Sequence, residues 1–137
     1  MSYAVSSALQ AAVFQKLSND AALSALVGSN IFDALPSGAV PSLYVALGPE
    51  KASDASDQTG GGALHEFTIS IVTESAGFAA AKETAGAVSD ALVDADLILS
   101  RGSLVSLRFY KATAARVGTA DTRRIGLIFR ARVCDGT

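Results

Sequence analysis

The sequence predicts an α+β fold, an antiparallel four-stranded sheet with helices packed on one face, and three observations predict it. Apolar residues recur every fourth position near the N-terminus, a central run alternates apolar with polar, and two long alternating runs joined by a short polar turn close the chain. The element order read this way is helix, helix, strand, strand, helix, strand, strand, with no repeat and no second core. A chain of 137 residues fits one domain spanning residues 1–137.

Val5, Leu9, Val13 and Leu17, with Ala8 and Ala12 beside them, draw one stripe on a helix from about Ser2 to Leu17, with Ser2 as its N-cap. Asp20 caps a short second helix through Leu23 and Leu26, and Gly28 supplies the residue that ends it. A connector runs from Ser29 to Pro41, and its apolar Ile31, Phe32 and Leu35 are expected to pin it to the core. Leu43 to Leu47, bounded by Pro41 and Gly48-Pro49, reads as a buried strand. From Glu50 to Gly62 the composition turns to Ser, Asp, Gln and Gly, which predicts a mobile loop. His65, Phe67, Ile69, Ile71 and Thr73 alternate with Glu66, Thr68 and Ser70 in a half-buried second strand. A third helix starts at Ser75, with Phe78, Ala81, Ala85, Val88 and Leu92 on one side. Two final strands, about Leu104 to Val117 and Thr122 to Val133, form a hairpin across Gly118 to Asp121.

Hydrophobic residues make up 50% and charged residues 18%, a balance suited to a buried core and not to a disordered tail. Mean hydropathy is +0.36, yet no uncharged stretch can form a membrane helix of about 20 residues, because the longest, Ala34 to Pro49, contains three prolines. No basic residue precedes Lys16, so a secretory leader is not expected and synthesis in the cytoplasm is. Net charge is −2, but residues 1–100 hold three basic and eleven acidic residues, whereas residues 101–137 hold eight basic and two acidic. In an assembly of copies, such polarity lets one surface of a subunit meet the opposite charge on the next.

Candidates for chemistry are few. Cys134 and His65 are the sole cysteine and histidine, which excludes an internal disulfide and a Cys/His zinc set, and as a nucleophile and base they stand without marked partners. Both are therefore expected to be replaceable without loss of assembly, His65 being read as a partly buried structural residue. Gly60-Gly61-Gly62 lacks the Lys and Ser/Thr of a phosphate loop, and Asp54 with Asp57 fits no calcium loop, so both read as solvated loop. No cofactor or metal is expected. More informative are the arginines. Arg124, Arg130 and Arg132 share one parity of the last strand, opposite Ile125, Leu127, Phe129, Ala131 and Val133; in the preceding strand Arg108 and Arg116 stand opposite Val105, Leu107 and Phe109. One sheet face is thus basic, with Glu66 on the polar parity of its own strand. Either this is a solvated face with cross-strand pairs, or it lines a lumen or subunit contact where arginine meets DNA phosphate or a neighbour's carboxylate.

Several segments together resemble the small tail-completion proteins of long-tailed phages and phage-derived particles, also called tail terminators or head-tail joining proteins. They are the Leu26-Val27-Gly28 step leading to Ile31, the strand Pro41-Ser42-Leu43-Tyr44-Val45-Ala46-Leu47-Gly48, the polar loop before His65-Glu66-Phe67-Thr68-Ile69, the helix ending at Val88-Ser89-Asp90-Ala91-Leu92, and the closing hairpin. The family's usual aromatic directly after the proline is missing, since Ser42 follows Pro41 and Tyr44 comes later. The resemblance implies a non-enzymatic structural protein that forms a ring, with six subunits expected, at the head-proximal end of a tail tube. Such a ring ends tube growth and joins tail to head connector or stopper. The implied partners are further copies of the chain, the tube protein, the connector and DNA passing through the lumen, with no membrane involved. The alanine-rich composition suits a gene transfer agent or a prophage equally. A different class of function, a small module binding nucleic acid or peptide through the basic sheet face, is disfavoured by the net charge and by the absence of paired base-stacking aromatics.

Overall fold

The apolar stripe of the first segment buries Val5, Leu9, Val13 and Leu17 and makes Ser6–Ser18 helix α1. The structure, a computed structural model, describes residues 3–34, 38, 40–55, 61–74, 77–118 and 122–135. Ser2, expected as the cap of α1, lies outside these residues; Val5 occupies the cap position and supplies no side-chain acceptor. Helix α2, Ala21–Val27, is capped as expected, with the Leu23 amide donating to Asp20 Oδ2 at 2.9 Å, and it ends at Gly28 with φ of 60°.

The start of the connector is held to the core as expected, with Ile31 buried, and it is also a strand, which was not expected. Ile31 and Phe32 form a strand, β1 (Ile31–Phe32), that pairs parallel with Val45 and Ala46 of β2 (Leu43–Asp54). Leu35 lies outside the described residues. The sheet therefore has five strands and is mixed, not four-stranded and antiparallel, and the element order gains a strand before β2. A strand of two residues is too short for alternation to register in a sequence.

β2 also corrects the expected loop. It does not stop at Leu47 but passes Gly48-Pro49 as a bulge and continues to Asp54, so residues 50–54 are strand. Proline has no amide to give the ladder and is tolerated where the ladder is already broken. The partner β3, Gly62–Thr73, starts earlier than expected, and the Ala55 amide closes the hairpin on Gly62 O at 2.8 Å. Gly62 fits because a Cβ there would meet Ala55 O at 2.9 Å. The rest of the predicted mobile loop, residues 56–60 with Asp57 and Gly60, lies outside the described residues, apart from Ala55 and Gly61 beside the strands.

Helix α3 spans Ala79–Leu92; its predicted start, Ser75, lies outside the described residues. It buries Ala81, Thr84, Ala85, Val88, Ala91 and Leu92, and these mostly small side chains let it lie close on the sheet. The strands β4, Ser103–Arg116, and β5, Arg123–Cys134, match the predicted hairpin within about two residues. In the order β1-β2-β3-β5-β4, every pair after the first is antiparallel. α1, α2 and α3 pack against the face bearing Val45, Ile69, Ile71, Leu127 and Phe129, forming one apolar cluster. Among the described residues no helix covers the opposite face.

Candidate functional site: the open face of the sheet

Strand alternation fixes what the open face carries. Along β5 the odd positions, Ile125 to Val133, enter the core, so Arg124, Arg130 and Arg132 are turned outward as predicted. Their neighbours on that face are Val72, Glu66 and Leu64 of β3 and Ala115, Arg108 and Ser106 of β4. Lys51 stands across from Glu66, and Lys111 stands across from Ile128. Register thus gathers Lys51, Arg108, Lys111, Arg124, Arg130 and Arg132 on one face with Glu66 as their carboxylate among the described residues.

Local pairing restrains part of this charge. Arg130 Nε donates to Glu66 Oε1 at 2.7 Å, and its guanidinium lies 3.6 Å above the Tyr110 ring. Arg124 donates to Ser70 Oγ from Nη2 at 2.9 Å and from Nε at 3.2 Å, and Arg132 reaches Ala55 O at 3.3 Å. Arg108 faces Arg130 directly across the β4–β5 ladder, a like-charge pairing that costs stability. A groove of about 410 Å³ opens between Lys51, Glu66, Thr68, Tyr110, Lys111 and Arg130. A second groove, about 270 Å³, follows Thr113, Ala115, Val117 and Arg124.

Arg116 does not belong to this face. The β4 register shifts between Phe109 and Lys111, and the extra residue, Tyr110, reverses the alternation beyond it. Arg116 pairs with Arg123 and shares the helix side with Ile125. A similar shift between Leu104 and Ser106 leaves Val105 60% exposed instead of buried as the parity predicted.

His65 and Cys134 are kept apart by the same logic. His65 is on the core side and fully buried, whereas Cys134 pairs with Gly62, whose parity is that of the open face. The partner of His65 is one the sequence reading assigned to the loop. Beyond the Gly48-Pro49 bulge Glu50 pairs with Phe67 and so turns to the helix side, where its Oε2 accepts from His65 Nδ1 at 3.0 Å. Tyr3 Oη and Ser6 Oγ also donate to this carboxylate, Ser6 at 2.8 Å. Burial pushes the Glu50 carboxyl up, but the hydrogen bonds from Tyr3, Ser6 and His65 outweigh it and hold its pKa below the ordinary value. His65 Nε2 is enclosed without a partner among the described residues. The group fastens the start of α1 to the β2–β3 hairpin. Residues 50–54, Glu-Lys-Ala-Ser-Asp, carry no apolar alternation, so nothing in the sequence marked Glu50 as an inward strand residue.

A profile of the family described as Tail completion protein gp17 matches residues 11–134. The chain belongs to that family. Among solved structures, a chain in "Virion of native gene transfer agent (GTA) particle" is 62% identical, with a TM-score of 0.93 over 97% of this chain and 99% of that one. No curated protein matches. Membership carries a structural role in the tail. Among the described residues no helix is long and apolar enough to cross a membrane.

Proposed function

We propose that this tail completion protein forms a ring at the head-proximal end of a phage-like tail tube, ends tube growth, and joins the tail to the head connector. The open sheet face lines the lumen through which DNA passes. The observation that carries this reading is the sheet face uncovered among the described residues, where six of their cations meet one carboxylate and two of the cations, Arg108 and Arg130, oppose each other across the ladder. A fold gains nothing from that opposition; a face that meets phosphate does. The relative in the gene transfer agent virion supports a particle of that kind.

The test is a double variant, Arg108→Glu with Arg132→Glu, followed by thermal unfolding, ring formation and DNA transfer by the assembled particle. Both residues are exposed, so unfolding is expected to change by about 0.5 kcal/mol or less. Rings are expected to form, with DNA contact weakened and more sensitive to salt. Normal behaviour in all three measurements would reduce the face to a solvated surface. Failure of the rings with normal unfolding would move these arginines to a subunit contact. A wild-type chain that stays monomeric even beside tube protein would overturn the ring and favour a small binding module.

A further inference from the structure

The strands from β2 to β4 set four charges in one row on the open face. Lys51 pairs with Glu66, Glu66 with Arg130, and Arg130 with Arg108, so the signs across the sheet run plus, minus, plus, plus. Neighbouring strands lie about 4.8 Å apart, well inside a screening length of about 8 Å, so the Glu66 charge acts on both Lys51 and Arg130. Glu66 is the carboxylate of this face among the described residues, and it stands inside the row, not at its margin. Arg124 and Arg132 use neutral acceptors instead, the Ser70 hydroxyl and the Ala55 carbonyl.

The register shift in β4 completes the site. A bulge can put two consecutive side chains on one side of a strand, and Tyr110 and Lys111 both border the groove of about 410 Å³ with Lys51, Glu66 and Arg130. The Arg130 guanidinium lies 3.6 Å from the Tyr110 ring centre, and Lys111 Nζ lies 5.6 Å from the same centre. Arg130 is thus held between Glu66 and Tyr110, yet its side chain stays 41% exposed. Glu50 also borders the groove, but its carboxylate accepts from Tyr3, Ser6 and His65 on the helix side. From Phe109 to Arg116 β4 is exposed on both of its faces, so nothing among the described residues closes the groove at that edge.

A guanidinium meets carboxylate and phosphate with the same donors. We propose that Glu66 is a built-in competitor of the DNA backbone: it holds the position between Lys51 and Arg130 that a phosphodiester would take, and so weakens the hold of the groove on duplex. The inference rests on the lumen reading above and assigns regulation within that site. Every phosphate neutralised by a cation tightens binding and steepens its dependence on salt. A lumen of uncompensated cations would retain the DNA that has to move through it, and a carboxylate inside the row limits that retention. Glu66→Gln isolates the effect, because it keeps an oxygen acceptor for Arg130 Nε and removes only the charge.

The full chain, alone and with tube protein, is titrated with a fluorescently labelled duplex of mixed sequence between about 0.05 and 0.2 M salt, with light scattering and thermal unfolding on the same samples. Glu66→Gln is expected to assemble like wild type, to bind duplex roughly fivefold or more tightly, and to show a salt slope steeper by about 0.9 for each copy in contact. Glu66→Gln with Arg130→Gln removes the pair at constant net charge and is expected to return affinity and slope to wild type. If Glu66→Gln melts early, the paired variant decides alone: wild-type affinity upholds the competition, and weaker binding overturns it, since Arg130 would then hold phosphate while paired with Glu66. Wild-type affinity and slope in a folded Glu66→Gln, beside weakened binding by Arg108→Glu with Arg132→Glu, would overturn the proposal and leave the lumen reading intact. A wild-type chain that binds no duplex at any of these salt concentrations would overturn both.

Discussion

Glu50 links the start of α1 to the sheet, and its ionisation links the fold to pH. Its pKa is lower in the folded chain than its ordinary value, so its contribution is complete above that ordinary value and disappears as pH falls through the lowered one. Asp135 behaves likewise, held down by the two-point hydrogen bond from Arg101 at 3.0 and 3.1 Å. Glu50→Gln is expected to cost about 1–3 kcal/mol at neutral pH, because His65 keeps its burial and loses its charged partner. The same variant should lose less stability than wild type when acidified, which thermal unfolding across pH 3–7 would measure. Cys134→Ser, by contrast, is expected to change stability by about 0.5 kcal/mol or less, since the thiol is half-buried and in no disulfide. His65 cannot be treated so lightly. Full burial makes it part of the core, and its truncation would open a cavity where the sequence suggested a replaceable residue.

At the scale of elements, bulges decided what the alternation pattern could tell. β5 pairs without a register shift on either side in its own count, so the outward placement of Arg124, Arg130 and Arg132 was legible from parity alone. β4 and β2 each carry extra residues: Leu107 and Arg108 kept the sides that parity gave them, but beyond Tyr110 the alternation reversed and Arg116 moved to the helix side, while Glu50, read as loop, became strand and turned inward beyond the β2 bulge. Helix ends were legible where a side chain caps them. Asp20→Ala is expected to cost about 1 kcal/mol through loss of the α2 cap, measured by chemical denaturation. Gly102 marks another constraint, with φ of +70° and a would-be Cβ only 2.6 Å from Cys134 O. Gly102→Ala is therefore expected to destabilise by about 1–3 kcal/mol in the same measurement.

The whole molecule is electrically divided. The helix layer and its connectors expose Asp33, Glu83, Asp90, Asp94 and Asp96, while the open sheet face exposes lysine and arginine. Screening acts on such surfaces and hardly on an apolar core. Raising salt from about 0.05 to 0.5 M, where the screening length drops well below 10 Å, is expected to weaken self-association and DNA contact. The melting temperature of the monomer should move little, and scattering and unfolding on one sample separate the two effects. Periodicity and charge order are local properties of a chain, and they determined the α+β class, the stripes of α1 and α3, the closing hairpin and the basic parity of β5. The short parallel β1, the two-faced exposure of β4, and the meeting of Glu50, His65, Ser6 and Tyr3 were decided by the tertiary structure alone. Each depends on which distant segments pack together and on where a single inserted residue turns the strand over, and neither leaves a periodic mark in the sequence.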